Sequence, residues 1–327
     1  MAEPQTLEIR DLSIGVGAHS VVDGVDFSIG RGEIVALVGE SGSGKSLTAL
    51  AIMGLLSGSV HQTGGTATFE GKALNLGDEA AMQKLRGTSL SMIFQEPVAS
   101  LNPLLSVGAQ VAESLVVHGR ASATDAWDRA VETLRDVGIP APEQRARQLP
   151  SSLSGGMCQR VMIASALIAA PRLLIADEPT TALDVTIQAQ ILHLMRRLRD
   201  ETDTSVLIIT HDMGVVASVA DRVCVMYGGR IVEQAEVHAL FAAPRHPYTK
   251  LLLSTIPRMD GPRKTELFSI SGVVPDVSAW PEGCRFRTRC PLASNICATR
   301  PPLIPVSDAA RDHVAACWHS DQVEGLA

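Results

Sequence analysis

The sequence is poor in aromatic residues, and this shortage limits how its core can be built. Only 3% of the 327 residues are Phe, Trp or Tyr, although 46% are hydrophobic. The core must therefore consist of Val, Ile, Leu, Ala and Met side chains. An aliphatic core favours a buried, mainly parallel β-sheet with helices on both faces, so we predict an α/β fold. The length suits one large domain with a smaller appendage.

Excess basic charge and long apolar runs are also missing. The formal net charge is -7, whereas proteins that bind DNA or RNA usually present a net basic surface. We therefore expect no nucleic-acid partner. The longest apolar candidates, such as Val161 to Ala170, are shorter than the roughly 18 residues that cross a bilayer. The segment Met1 to Arg10 carries acids and no apolar stretch, unlike a signal peptide. We therefore expect a soluble, cytoplasmic protein.

Three short apolar runs predict buried parallel strands: Ile34 to Val38, Leu173 to Ala176 and Val206 to Ile209. Functional groups are expected at their carboxyl ends, where open α/β sheets bind ligands. Between the first two runs, Val107 to Arg147 has a helical pattern, which predicts an inserted helical subdomain at about residues 100–165.

The composition changes near Phe241, because ten of the eighteen prolines lie after it. Proline favours loops and turns over regular elements. We therefore predict a main domain over residues 1–242 and a small Cys- and Pro-rich C-terminal extension over residues 243–327.

A phosphate-binding loop follows the first predicted strand, with the sequence Gly39-Glu40-Ser41-Gly42-Ser43-Gly44-Lys45-Ser46. It matches G-x4-G-K-[ST] between a strand and a helical run, as the motif requires. Its backbone N–H groups wrap phosphates, Lys45 pairs with the outer phosphates, and Ser46 can bind magnesium. The loop predicts a nucleoside triphosphate site, and kinases, GTPases and transport motors all remain open.

Two consecutive acids, Asp177 and Glu178, end the second predicted strand. Asp177 is expected to reach magnesium directly or through water. Glu178 points the other way and could orient or deprotonate the attacking water, which is typically worth ~10² to 10⁴ in rate. Base-recognition motifs of a GTPase are not found.

A glycine pair shortly before the Asp177 strand lies in the segment Leu153-Ser154-Gly155-Gly156-Met157-Cys158-Gln159-Arg160. Ser154 can cap the helix that begins here, and the glycines leave its N-terminus open to an anion. The segment resembles the signature loop of ABC ATPases.

Three more motifs of that family occur in the chain, one before this segment and two after it, in the family's order. Gln95 resembles its Q-loop glutamine, which contacts magnesium and senses membrane subunits. Ala182-Leu183-Asp184 resembles its D-loop, and His211 resembles its switch histidine, which contacts the γ-phosphate. The resemblance covers about residues 7–240.

The resemblance implies that two ATPase domains sandwich ATP, with the Ser154-Gly155-Gly156 loop and Asp184 of one facing the phosphate loop of the other. An isolated chain is then expected to bind ATP but to hydrolyse it poorly. The family's adenine-stacking aromatic falls near Val16, which has no ring, and nearby His19 is the alternative.

The segment Phe94 to Pro103 and the motif His246-Pro247-Tyr248-Thr249 are similar to those of oligopeptide/dipeptide importer ATPases. This resemblance implies a peripheral ATPase at the cytoplasmic face of the bacterial inner membrane. Its partners would be a related second ATPase, two permease subunits and, indirectly, an extracytoplasmic binding protein. Nickel or glutathione import, or a soluble ABC ATPase with a metal-sensing tail, are the alternatives.

The tail contains Cys284, Cys290, Cys297 and Cys317, without the close C-x2-C pair of a zinc ribbon. Four thiolates could hold zinc or an iron–sulfur cluster, or remain unligated. The pattern resembles the C-terminal extension of the importer subfamily, which implies a [4Fe-4S] cluster in addition to ATP and Mg²⁺.

Overall fold

The computed structural model describes residues 5–181, 183–256, 268–307 and 312–326. The strands are β1 (Gln5–Val16), β2 (His19–Gly30), β3 (Ile34–Val38), β4 (Val60–Phe69), β5 (Lys72–Ala73), β6 (Leu90–Ile93), β7 (Leu173–Asp177), β8 (Ser205–Thr210), β9 (Arg222–Tyr227), β10 (Arg230–Glu236), β11 (Ile304–Pro305) and β12 (Val314–Ala315). The α-helices are α1 (Lys45–Ile52), α2 (Glu79–Leu85), α3 (Pro97–Ser100), α4 (Val107–Val117), α5 (Ala123–Asp136), α6 (Pro142–Arg145), α7 (Gly155–Leu167), α8 (Val185–Thr202), α9 (Met213–Val219), α10 (Val237–Ala242) and α11 (Pro247–Ser254).

The larger sheet forms the centre of the molecule. Within the described residues its strand order is β11-β12-β10-β9-β3-β8-β7-β6. The five strands from β9 to β6 are parallel, and β10 adds antiparallel to β9. Every residue of β3, β7 and β8 is buried, because both faces of the sheet are covered. The three strands predicted from apolar runs are confirmed, as is the mainly parallel core.

An antiparallel sheet that the sequence analysis did not predict covers one face. Its described strands have the order β2-β1-β4-β5. Alternate residues of β3 point to opposite faces: Val35 and Leu37 pack with this second sheet, whereas Ala36 and Val38 pack with the helices on the other side. The strand that precedes the phosphate loop is therefore packed on both of its faces.

Helices α3 to α7 form the predicted helical region. Helix α5 buries Ala126, Ala130 and Leu134, which recur every four residues on one face as expected of an amphipathic helix. These side chains share a hydrophobic cluster with α4 and α7. The proposed limits of this subdomain, and the division after residue 242, remain predictions.

The tail packs directly on the main domain. Strand β12 pairs antiparallel with β10, and Phe286 is buried against Tyr227 and Tyr248 with ring centroids 5.0 and 5.4 Å away. Tail and core thus share a sheet and an aromatic cluster. In the part of the chain that is described, no helix combines the length and apolarity of a membrane span.

Candidate active site

The phosphate loop connects the end of β3 to the start of α1. Its first residue, Gly39, lies so close to β9 that an added Cβ would overlap the carbonyl oxygen of Met226. Gly44 precedes α1 with φ of 99° and makes no side-chain cap, a conformation that favours glycine. The N–H groups at the start of α1 therefore stay available to an anion.

Lys45 is folded back onto its own loop. The Nζ atom donates to Gly39 O at 2.8 Å, Glu40 O at 3.0 Å and Ser43 Oγ at 3.2 Å. Burial lowers the pKa of Lys45, while the carboxylates of Glu178 and Asp177 oppose that shift. The ammonium is thus held between the loop and the acids that end β7.

Asp177 ends β7 and is 3% exposed. Burial raises the pKa of this carboxyl, and a hydrogen bond from Ser46 opposes the shift. No group among the described residues pairs with its buried Oδ1 atom. An unsatisfied buried carboxylate oxygen beside a serine hydroxyl suits Mg²⁺, which is usually bound by one or two protein oxygens together with phosphates and water.

Glu178 follows in a strained conformation, with φ of 49°. Its Oε1 lies 3.1 Å from Nδ1 of His211, and its Oε2 accepts a hydrogen bond of 3.0 Å from Thr181 Oγ1. A left-handed non-glycine residue costs roughly 1–3 kcal/mol and persists where the surroundings hold it. Two partners therefore fix a carboxylate that the backbone alone would not place here.

A cavity of about 190 Å³ lies at the phosphate loop, lined by Val21, Ser41 to Leu47, Gln95 and Glu178. Gln95 comes directly after β6 and Phe94. The structure thus brings together the phosphate loop, Gln95 and Glu178, while His211 reaches the group through its contact with Glu178.

The signature-like loop lies elsewhere on the same chain. Ser154 Oγ caps α7 by accepting from Met157 N at 3.3 Å, and an added Cβ on Gly155 would meet nothing within 4 Å. Asp184 caps α8 by accepting from Ile187 N at 3.0 Å. Ser154, Gly155, Gly156 and Asp184 do not line the phosphate-loop cavity, and Ala182 lies outside the described residues.

The two residues considered for adenine stacking sit at the β1–β2 hairpin, where Val16 pairs with His19. Neither lines the cavity, whereas Val21, further along β2, does. The adenine contact therefore stays a prediction.

The four tail cysteines line one small cavity together with Phe286. The sulfur of Cys317 accepts a hydrogen bond from His319 N at 3.3 Å. Even so, the described residues contain no group of three or more His, Cys, Asp or Glu side chains placed to hold a metal ion. The structure therefore does not support the predicted [4Fe-4S] site, although four soft ligands do converge on one space.

Comparison with known proteins decides the family. A model of the ABC transporter family matches residues 22–181, and one of the oligopeptide/dipeptide transporter C-terminal region matches residues 232–297. A probable peptide ABC transporter ATP-binding protein of Sinorhizobium fredii is 48% identical over 98% of this chain and 96% of its own length. The chain belongs to the ABC transporter ATP-binding family.

Other relatives agree with this assignment. An oligopeptide transport ATP-binding protein of Bacillus subtilis is 53% identical over 89% of this chain and 88% of its own length. The dimeric structure of a bacterial ABC transporter cassette is 29% identical with a TM-score of 0.65, covering 71% of this chain and 98% of that one. As an ABC ATPase, the chain binds and hydrolyses ATP, and the prediction of an α/β ABC ATPase fold is confirmed.

Sequence reasoning missed several contacts of this ABC ATPase. Thr181, which holds Glu178, follows the acids directly and could have been suspected as a cap. Tyr248 was singled out only as part of a subfamily motif, yet its hydroxyl accepts from Glu40 N at 2.7 Å. Arg289, which binds the Glu40 carboxylate, carries no sequence signal, because 249 positions separate the two residues.

Proposed function

We propose that the chain is the ATP-hydrolysing subunit of a membrane importer for oligopeptides or dipeptides. The match of residues 232–297 to the oligopeptide/dipeptide transporter C-terminal region carries this proposal. Relatives named as oligopeptide and dipeptide transport proteins, at 46–53% identity, support it.

Each site residue then has a role. The loop from Gly39 through Glu40, Ser41, Gly42, Ser43 and Gly44 to Lys45 and Ser46 surrounds the phosphates, which are bound by the N–H groups at the start of α1 and by the Lys45 ammonium. Ser46, Asp177 and Gln95 would hold Mg²⁺, which would neutralise charge on the phosphates when bound. Glu178 orients the attacking water and takes its proton, while His211 contacts Glu178 and is assigned to the γ-phosphate.

The site is completed by a second ATPase subunit. Ser154 and Gly155 are exposed. Together with Gly156 and Asp184, they lie outside the cavity at the chain's own phosphate loop. Solved relatives are described as dimeric cassettes. We therefore assign this loop to the phosphates bound by a partner, which is expected to be a related ATPase chain.

Two permease subunits are the other direct partners. Exposed apolar side chains Val98, Leu104 and Leu105 follow Gln95, beside a groove of about 280 Å³ that Phe94 and Leu101 line. Apolar patches of this kind mark protein contacts. Docking here places the ATPase at the cytoplasmic face of the cell membrane and links the permease to Gln95. An extracytoplasmic binding protein would deliver the peptide.

We also infer that Cys284, Cys290, Cys297 and Cys317 together hold an iron–sulfur cluster, with zinc as the weaker fit. Four thiols around one cavity, with the sulfur of Cys317 accepting a hydrogen bond from His319 N, support this ligand set. When bound, a cluster would cross-link the tail through four Fe–S bonds. Iron and sulfide analysis of anaerobically purified protein tests it, and a colourless, iron-free sample contradicts it.

Isolating the complex from native membranes tests the proposed function. We expect the ATPase to copurify with two permease subunits and a related ATPase, and peptides to be the ligands of the associated binding protein. Recovery with a binding protein that carries nickel or glutathione would reject the peptide assignment.

A further inference from the structure

The second residue of the phosphate loop, Glu40, is held from outside the segment matched by the ABC transporter family model. Its backbone N–H donates to Tyr248 Oη at 2.7 Å. Its carboxylate accepts hydrogen bonds from both terminal nitrogens of Arg289, from Nη1 to Oε2 at 2.6 Å and from Nη2 to Oε1 at 3.0 Å. Two residues beyond position 242 thus hold the main chain and the side chain of one loop residue.

Arg289 is itself fixed. Its side chain is only 4% exposed, and it also donates to the carbonyl oxygen of Ser271 at 2.9 Å. Tyr227 Oη lies 3.4 Å from Nη1. A bidentate, buried guanidinium has a defined direction, so the Glu40 carboxylate cannot shift without breaking both bonds.

Tyr248 belongs to a buried cluster of aromatic side chains. The residue is fully buried and its ring packs against Tyr227 at 4.7 Å and against Phe286 at 5.4 Å between centroids. Phe286 precedes Arg289 by three positions in the tail. The tail thus reaches the loop through a packed aromatic cluster as well as through an ion pair.

Glu40 is connected to the group that binds phosphate. Lys45 Nζ donates to Glu40 O at 3.0 Å and to Gly39 O at 2.8 Å. A displacement of Glu40 therefore moves two of the three acceptors that position the ammonium.

We propose that Arg289 and Tyr248 are positioning residues through which the C-terminal extension sets the affinity of the phosphate loop for ATP. This inference rests on the proposed ATP site. It gives the extension a task in the ATPase itself, besides any contact with the transporter.

A double-mutant cycle on the full-length chain tests the ion pair. The dissociation constant of a fluorescent ATP analogue with Mg²⁺ is measured for the parent, Arg289→Gln, Glu40→Gln and the double variant. We expect each single variant to bind roughly 5-fold more weakly or worse, and the double variant to bind no more weakly than the singles, because one interaction is lost in all three.

Arg287→Gln is the matched control, since Arg287 has the same charge two positions away and forms no ion pair with the described residues. It should bind the analogue like the parent. Parent-like binding by Arg289→Gln, or fully additive losses in the double variant, would overturn the proposal.

Two further readouts separate positioning from folding. Tyr248→Phe removes only the hydroxyl that accepts from Glu40, and it should raise KM for ATP while kcat in the assembled transporter stays near the parent value. The Arg289 and Tyr248 variants could instead show a smaller fraction of protein able to bind ATP and a lower Tm, with the dissociation constant of the parent. In that case the contacts are merely structural and the proposal fails. A parent that does not bind ATP would instead reject the proposed function.

Discussion

Glu178 is the residue to which we assign activation of the attacking water. Glu178→Gln keeps the side-chain shape and its contact with Thr181, but removes the charge that accepts a proton from water. We expect ATP binding within about twofold of the parent and a loss of turnover of ~10² or more. Binding and steady-state hydrolysis measured on the same preparation check this, and equal hydrolysis by variant and parent contradicts it.

Lys45 tests a different part of the site. Lys45→Ala removes the ammonium that faces the phosphates, but leaves Glu178 and His211 in place. We expect ATP affinity itself to fall at least ~10-fold, because a charge-assisted phosphate contact is lost. Equilibrium titration with labelled ATP measures this, and retained parent affinity would contradict the assignment of the loop.

Gly39 shows a steric requirement that the phosphate-loop motif alone does not explain. Its added Cβ would overlap Met226 O, a backbone atom that cannot rotate away, whereas one on Gly42 would meet nothing within 4 Å. Gly39→Ala should therefore destabilise the protein by ~2 kcal/mol or more, and Gly42→Ala by clearly less. Denaturant unfolding without nucleotide compares them, and equal losses would refute the steric account.

Residues of the site were predictable where their chemistry is local in sequence. The loop Gly39 to Ser46, the acids Asp177 and Glu178, and Gln95 each occupy a recognisable position after a strand. Arg289 could not be predicted, because the tail folds back over 249 positions to reach Glu40, and no spacing rule describes such a contact.

Among the elements, the N-terminus of α7 is the one that we assign to the phosphates bound by a partner subunit. Gly155→Asp adds a negative charge there without a clash, since nothing lies within 4 Å of the new Cβ. We expect the isolated chain to bind ATP like the parent. Hydrolysis by the assembled transporter should fall at least ~10-fold, because the carboxylate repels the partner's phosphates.

Both quantities can be measured by nucleotide titration and phosphate release. Weakened binding by the isolated chain, or full hydrolysis by the complex, would show that this loop does not complete a partner's site.

The strands that were predicted correctly are those of the central sheet that are buried on both faces. Strands β3, β7 and β8 are unbroken apolar runs because both faces are covered. Strand β1 was missed because its pairing with β2 shifts between Ile9 and Leu12, with Asp11 at φ of 51°. That bulge breaks the two-residue alternation by which a half-buried strand is recognised.

At the scale of the whole molecule, the described part of the tail packs closely on the main domain. Strand β12 extends the central sheet, and Phe286 lies in the main hydrophobic cluster. Its prolines and cysteines predicted loops, but the sequence could not show where those loops pack. Tail and motor are therefore expected to unfold together in one transition.

The central claim is that ATP hydrolysis at this site drives peptide import, and uptake by a reconstituted transporter tests it most directly. The purified complex is placed in vesicles with a peptide-loaded binding protein, and accumulation of labelled peptide is followed with ATP on the side of the ATPase. We predict accumulation with the parent chain and essentially none with Glu178→Gln. Accumulation that continues with Glu178→Gln, or ATP hydrolysis by the parent complex without any peptide uptake, would contradict the account.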